Sequence, residues 1–224
     1  MSSSAFAQQD ETIVADRPGL ADGAATVGDA VFQVETGLNV DHQGDEALTL
    51  PTLLRYGFGN RFELRVESDV LALHDGDADL APIAAGFKLK LTEGTVPLSL
   101  IGSVQPPSGE GEFRSDGYET SARLVSDIDL GNDFSLTPNV GIEKGEHSDA
   151  EAVFALTLEK ELGAMHPFVD MEARSGNGNT SAIFDAGIAW IVRPHTQLDV
   201  SAGFDVAGDA YPDWFIGAGV SRRF

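Results

Sequence analysis

The feature that most constrains this chain is a strict two-residue alternation of apolar and charged side chains. Between Arg61 and Val70, Phe62, Leu64, Val66 and Val70 hold one parity, while Arg61, Glu63, Arg65, Glu67 and Asp69 hold the other. A period of two is the side-chain repeat of a β-strand and cannot be accommodated on one face of a helix. The pattern recurs along the chain. Phe32, Val34, Leu38 and Val40 alternate with Gln33, Glu35, Asn39 and Asp41, and Phe87, Leu89 and Leu91 alternate with Lys88 and Lys90. Pro167, Val169, Met171 and Ala173 alternate with Asp170, Glu172 and Arg174, and the last stripe is Trp214, Ile216, Ala218, Val220 and Phe224. Twelve such segments fit between about Ala30 and Phe224. Most are about nine to twelve residues long, the length a tilted membrane strand needs. The expected fold class is all-β: a transmembrane antiparallel up-and-down β-barrel of about twelve strands, with a soluble all-β domain as the alternative.

The connections sort into two kinds. Gly59-Asn60, Thr92 to Thr95, Leu130 to Asp133, Glu161 to Ala164 and Arg193 to His195 are tight. Asp41 to Ala47, His74 to Asp79, Gln105 to Gly117, Lys144 to Asp149, Ser175 to Thr180 and Ala207 to Pro212 are generally longer or more acidic. Short periplasmic turns facing longer external loops are the arrangement of barrels in the Gram-negative outer membrane, and an even strand count puts both termini on the periplasmic side. The aromatics agree. Phe32, Tyr56, Phe58, Phe62, Phe87, Phe134, Trp190 and Phe224 fall toward the turns, and Tyr118, Phe154, Phe184, Phe204 and Trp214 toward the loops, as two interfacial girdles would. The C-terminal Phe224 also fits a recognition signal for the barrel-assembly machinery.

Composition excludes some classes. No run of eighteen apolar residues is present, so a helical span is ruled out while a barrel is not. A net charge of −22 opposes nucleic-acid binding. There is no cysteine, hence no disulfide and no thiolate chemistry. His42, His74, His147, His166 and His195 show no metal-ligand spacing, and Asp75-Gly76-Asp77-Ala78-Asp79 lacks the glycine and glutamate of a calcium loop, so no metal or cofactor is expected. Ala5-Phe6-Ala7 matches a signal-peptide cleavage pattern. The domain scheme is then 1–7 as a signal-peptide remnant, 8–29 as an N-terminal segment, and 30–224 as the barrel. The segment at 8–29 either hangs in the periplasm or at the rim, the reading preferred here, or folds in as a plug.

Several stretches resemble the outer-membrane transporter family named for the MetA pathway of phenol degradation. They are Asp16-Arg17-Pro18, Phe32 to Gly37, Leu53 to Arg65, Gln197-Leu198-Asp199, and the closing Gly217 to Phe224. The resemblance implies a barrel that passes small solutes, with aromatic or hydrophobic compounds as the class the family name points to, and it brings no catalytic residues.

The candidate pore-lining residues are those on the polar parity. Arg55, Arg61, Arg65, Lys88 and Lys90 gather on neighbouring strands, with Arg223 close by on the closing strand. Glu63 and Glu67 lie among them, and Asp127, Asp129, Glu143, Glu159, Asp170, Glu172, Asp185 and Asp199 dominate elsewhere. A basic wall facing an acidic wall would tune an aqueous channel. The competing reading is a closed structural or surface-interaction barrel whose lumen is filled by ion pairs. A surface lipid hydrolase is the third, and no Ser-His-acid spacing supports it, so no enzyme is expected. Expected partners are outer-membrane lipid, lipopolysaccharide, the assembly machinery and a small-molecule solute, with no nucleic acid.

Overall fold

The structure, a computed structural model, describes residues 12–74, 77–145 and 149–224. The expected signal remnant at 1–7, Asp75-Gly76 of the acidic loop and His147 lie outside the described residues. The strand pieces are β1 (Phe32–Gln43), β2 (Asp45–Thr49), β3 (Thr52–Phe58), β4 (Phe62–Ser68), β5 (Leu71–His74), β6 (Asp77–Leu80), β7 (Ile83–Thr92) and β8 (Leu98–Gln105). They continue as β9 (Glu119–Ser126), β10 (Ile128–Gly131), β11 (Phe134–Lys144), β12 (Glu151–Lys160), β13 (Met165–Gly176), β14 (Asn179–Arg193), β15 (Thr196–Ala207) and β16 (Trp214–Arg223).

These pieces make twelve antiparallel passes, because β2 continues into β3, β4 into β5, β6 into β7 and β9 into β10. Each pass pairs with its sequence neighbours, and β1 closes on β16 from Gln33↔Arg223 to His42↔Trp214. The barrel is therefore shut, with no free edge at its seam. Three of the interruptions fall on consecutive passes, at Leu50-Pro51, Asp69-Val70 and Ala81-Pro82. Each has a local cause. Pro51 and Pro82 have no N–H to give the ladder, and Val70 takes a left-handed φ of 48°. Beyond the breaks, β2 pairs with β5 and β5 with β6, forming a raised lip on the loop side.

Burial runs opposite to that of a soluble domain. The largest fully buried side chains include Arg55, Lys88, Gln33, Glu35 and Glu63, whereas Leu38, Leu64 and Ile216 are 54%, 46% and 55% exposed. Charged residues are almost never fully buried in water-soluble folds unless paired, and a continuous exposed belt of Leu, Ile, Val and Phe needs a lipid solvent. Aromatic contacts trace both girdles. On the turn side Phe224 meets Phe32, Tyr56 meets Phe58, and Phe62 bridges Phe58 and Phe87, at centroid distances of 4.9–6.2 Å. On the loop side Phe184 meets Phe204 at 5.7 Å, and His42 stacks on Trp214 at 5.3 Å.

The lumen is not empty. The described part of the 8–29 segment, residues 12–29, expected at the rim or in the periplasm, runs inside the barrel, and residues 8–11 lie outside the described residues. Ile13, Ala21, Ala24 and Val27 are buried, and at the turn end Ile13 N–H donates to Pro194 O at 2.7 Å while Ala30 N–H donates to Gly57 O at 3.0 Å. The physical reason is visible in the wall. A rim segment would leave inward carboxylates and guanidinium groups unmatched, whereas this segment supplies them with backbone partners.

Candidate functional site

The site is the contact between the inner segment and the wall. The segment has no regular secondary structure through most of its length, so its peptide groups must be satisfied from outside. Wall acids accept its N–H groups. Glu35 Oε2 accepts from Asp16 and Arg17 at 2.9 Å each, Asp170 Oδ2 from Leu20 at 2.7 Å, Asp127 Oδ2 from Ala24 at 2.8 Å, and Glu63 Oε2 from Val27 at 2.9 Å. Wall donors reach its carbonyls. Arg55 donates to Val14 O at 3.2 Å and Ala25 O at 3.1 Å, Lys88 to Gly23 O at 2.8 Å, Ser99 to Ala24 O at 2.6 Å, and Gln197 to Arg17 O at 2.8 Å. Asn139 does both for Asp22, accepting from its N–H and donating to its carbonyl at 2.9 Å each.

Charge is concentrated at Asp16. Its carboxylate lies 2.6 Å from Arg65 Nη1, 2.9 Å from Lys88 Nζ and 3.3 Å from Arg55 Nη1. Arg55 is held further by Glu63 and Glu35 at 2.9 Å each, and Arg65 by Asp22 at 2.8 Å and Glu67 at 3.1 Å. Arg55 and Arg65 stand directly opposite each other on β3 and β4. Such a like-charged pair is tolerable only with anions interposed.

Apolar pegs complete the fit. Ala24 packs on Ile101 and Val125, and Leu20 packs on Ile183, Tyr211 and Phe215. Where the segment presses closest, the wall carries glycine. A side-chain carbon at Gly37 or Gly219, which pair across β1 and β16, would overlap the Arg17 guanidinium.

Toward the loops the lumen reopens. Two cavities of ≈ 520 and ≈ 510 Å³ both touch Glu67, Gln105 and Arg174. Arg123 pairs with Glu143 and, at 3.1 Å, with Glu172, while Arg174 bonds Glu172 at 3.0 Å and Glu143 at 3.2 Å. Tyr211, in the 208–213 loop, donates to Glu172 at 3.0 Å. Burial pushes its phenol up, and the Glu172 carboxylate adds to that. Toward the turns lies a smaller cavity of ≈ 230 Å³, touched by Asp127, Glu159 and His166, in which Glu159 and His166 bond at 3.0 Å.

The candidate lining residues thus separate into groups. Arg55, Glu63, Arg65, Lys88, Asp127 and Asp170 hold the segment, with Glu67 half-buried beside them. Glu172 and Glu143 belong to the loop-side vestibule, Glu159 to the turn-side cavity, Asp185 is buried in the β14–β15 wall, and Asp199, buried beside it, pairs with Arg17 of the segment. The cations do not face an acidic wall across open water, as expected above, because acids of their own wall and of the segment neutralise them. Arg61 is not in the lumen. Following the Gly59-Asn60 turn, it lies exposed on the rim and donates to the carbonyls of Lys90 and Leu91 at 2.9–3.3 Å. Asp129 is also exposed, accepting from Gly131 N–H at 2.7 Å, while Lys90 and Arg223 are half-buried. Among the described residues, no group of three or more His, Asp or Glu side chains is placed to hold a metal ion.

The fold has solved counterparts. An outer membrane channel from Pseudomonas putida F1 superposes with a TM-score of 0.69 at 12% identity, covering 95% of this chain and 100% of that one. The KdgM porin gives 0.62 at 12% identity over 85% and 99% of the two chains. The NanC porin gives 0.61 at 10% identity over 85% and 98%. At these identities the likeness is one of fold. No curated protein matches the chain by sequence. The family relationship is carried by sequence instead: the model of the family described as "Putative MetA-pathway of phenol degradation" matches residues 15–224, so the chain belongs to that family.

Proposed function

We propose that the protein is an outer-membrane channel for small solutes, held in a nearly closed state by residues 12–31. One observation carries this. A closed, lipid-facing barrel holds polar cavities at both ends of its lumen, and a segment lacking regular structure, not the barrel wall, separates them. A barrel of this size lies between side-chain-filled small barrels and open porins, so removing one inner segment is enough to open a path. Small aromatic or hydrophobic compounds as solutes rest on the family's description, with the apolar patch of Leu20, Ile183, Tyr211 and Phe215 in support. In this reading the tight turns and both termini face the periplasm, the loops face lipopolysaccharide, and Phe224 is presented to the assembly machinery.

The test is planar-bilayer recording of the full chain beside a variant lacking residues 12–29. The variant is expected to conduct well above the full chain. A variant that still folds, by its heat-modifiable mobility in a gel, yet passes no current would replace the channel with the second reading, a structural barrel. The dense pairing around Arg55 and Asp16 favours that second reading.

A further inference from the structure

The inner segment is held unequally by its two sides. Against β3, β4 and β7 it is bound by the Asp16 ion pairs and by Glu63 on Val27. Against β13–β15 the limb from Arg17 to Leu20 is held by one ion pair, Arg17 to Asp199 at 3.1 Å, by the bonds of Leu20 N–H to Asp170 and Gln197 to Arg17 O, and by the packing of Leu20 on Ile183. Arg17 Nε has no hydrogen-bond partner. The same limb is the partition between the two ends of the lumen. Arg17, Pro18 and Gly19 line both the ≈ 230 Å³ turn-side cavity and a ≈ 310 Å³ cavity on the loop side.

The wall beneath this limb carries carboxylates with spare capacity. Asp185 is 0% exposed and turns its carboxyl to Asp170 and Ser201 of the same wall, the two facing carboxyls binding one another only through a shared proton, while one oxygen of Asp199 is without a partner. Asp170 and Asp185 stand directly opposite each other on β13 and β14. Buried carboxyl groups short of donors are costly, and a protein that keeps several along one wall has a use for a transient partner there.

We propose that the conducting path runs between the Arg17–Leu20 limb and the β13–β15 wall, where Asp170, Asp185 and Asp199 make it pass cations and neutral hydrogen-bond donors in preference to anions. This rests on the channel reading above. When the limb swings off, its Asp16 anchorage remains on the opposite wall, so the gap that opens is lined by acceptors. A cation or a hydroxyl group entering it supplies the donor this carboxylate-rich wall is short of, and an anion, with Arg17 as its one cationic neighbour on the limb, meets several carboxyl groups at low dielectric. Hydroxylated aromatics belong to the favoured class because they donate hydrogen bonds while neutral.

The experiment records full chain, Arg17→Ala, and Arg17→Ala combined with Asp185→Asn and Asp199→Asn in planar bilayers under a KCl gradient. Arg17→Ala is expected to raise conductance above the full chain, with a reversal potential on the cation-selective side. The two asparagines are expected to move that potential toward zero, and Glu93→Gln, on an exposed turn, to leave it in place. Folding of each variant is checked by heat-modifiable mobility, and Asp199→Asn alone serves if the triple variant does not fold. Anion selectivity in Arg17→Ala, a reversal potential indifferent to the asparagines, or no added current from Arg17→Ala while the segment-deleted barrel conducts would each overturn this path. A segment-deleted barrel that passes no current would instead overturn the channel itself.

Discussion

Asp16 is the residue on which the lumen depends most. Three buried cations converge on one carboxylate, and none of Arg55, Arg65 and Lys88 has water in which to spread its charge. Removing one member of a buried ion pair strands the other, at a cost of about 3–5 kcal/mol. Asp16→Ala is therefore expected to lower the unfolding free energy of the detergent-folded barrel by that order, read as a lower midpoint in a urea titration, and to loosen the inner segment; an unchanged midpoint would mean that the wall acids alone satisfy the cations. The glycines opposite Arg17 make a different demand. Gly219→Ala, whose added carbon would meet Arg17 before any backbone atom, is expected to expel the guanidinium while leaving the barrel's melting nearly intact, read as faster protease cleavage within residues 12–29. Neither role is visible in sequence, where Asp16 and Arg17 stand in a glycine-rich stretch with no periodicity and Gly37 reads as one more small residue in a strand.

At the scale of elements, strands and inner segment differ in how they are held. Each strand bonds to its neighbours through its backbone, so alternation alone reveals it. Even the passes broken at Pro51, Val70 and Pro82 stay legible, since the pattern resumes on the same face. The inner segment bonds instead to side chains scattered over much of the wall, from Gln33 to Gln197, and no local pattern encodes such a set. A signal did exist. Ile101, Val125, Val153, Phe168, Ile183 and Phe215 are buried apolar residues on the inward parity, a poor choice for a water-filled lumen and a sound one for a filled lumen. Asn139 tests the contact at this scale. Asn139→Leu leaves Asp22 N–H and its carbonyl without their partner, at about 1–3 kcal/mol for each unmet group. Hydrogen exchange at the Asp22 amide is expected to accelerate while the amides of β11 keep their protection.

For the whole molecule, the inverted burial sets the energetics. Leu38 lies about midway between the girdle residues Phe32 and His42 on β1, and its side chain is exposed to lipid. Leu38→Arg is expected to destabilise the barrel refolded into lipid vesicles by about 2–4 kcal/mol, and Phe32→Arg, at the interface, by about 0–1 kcal/mol. Equal penalties in a urea titration would contradict the membrane depth assigned to β1. The route of the inner segment bears on how such a molecule is put together. The two ends of its described stretch, at Ile13 and Ala30, touch the wall at the same mouth, at Pro194 and at Gly57. It is a loop dipped into the lumen from one side and not a thread passed through from mouth to mouth. No part of residues 13–30 has to be drawn through a closed ring, so zipping the seam between β1 and β16 does not knot the chain around them. The loop can be seated before or after that seam forms, and it can leave and return with every strand pair intact.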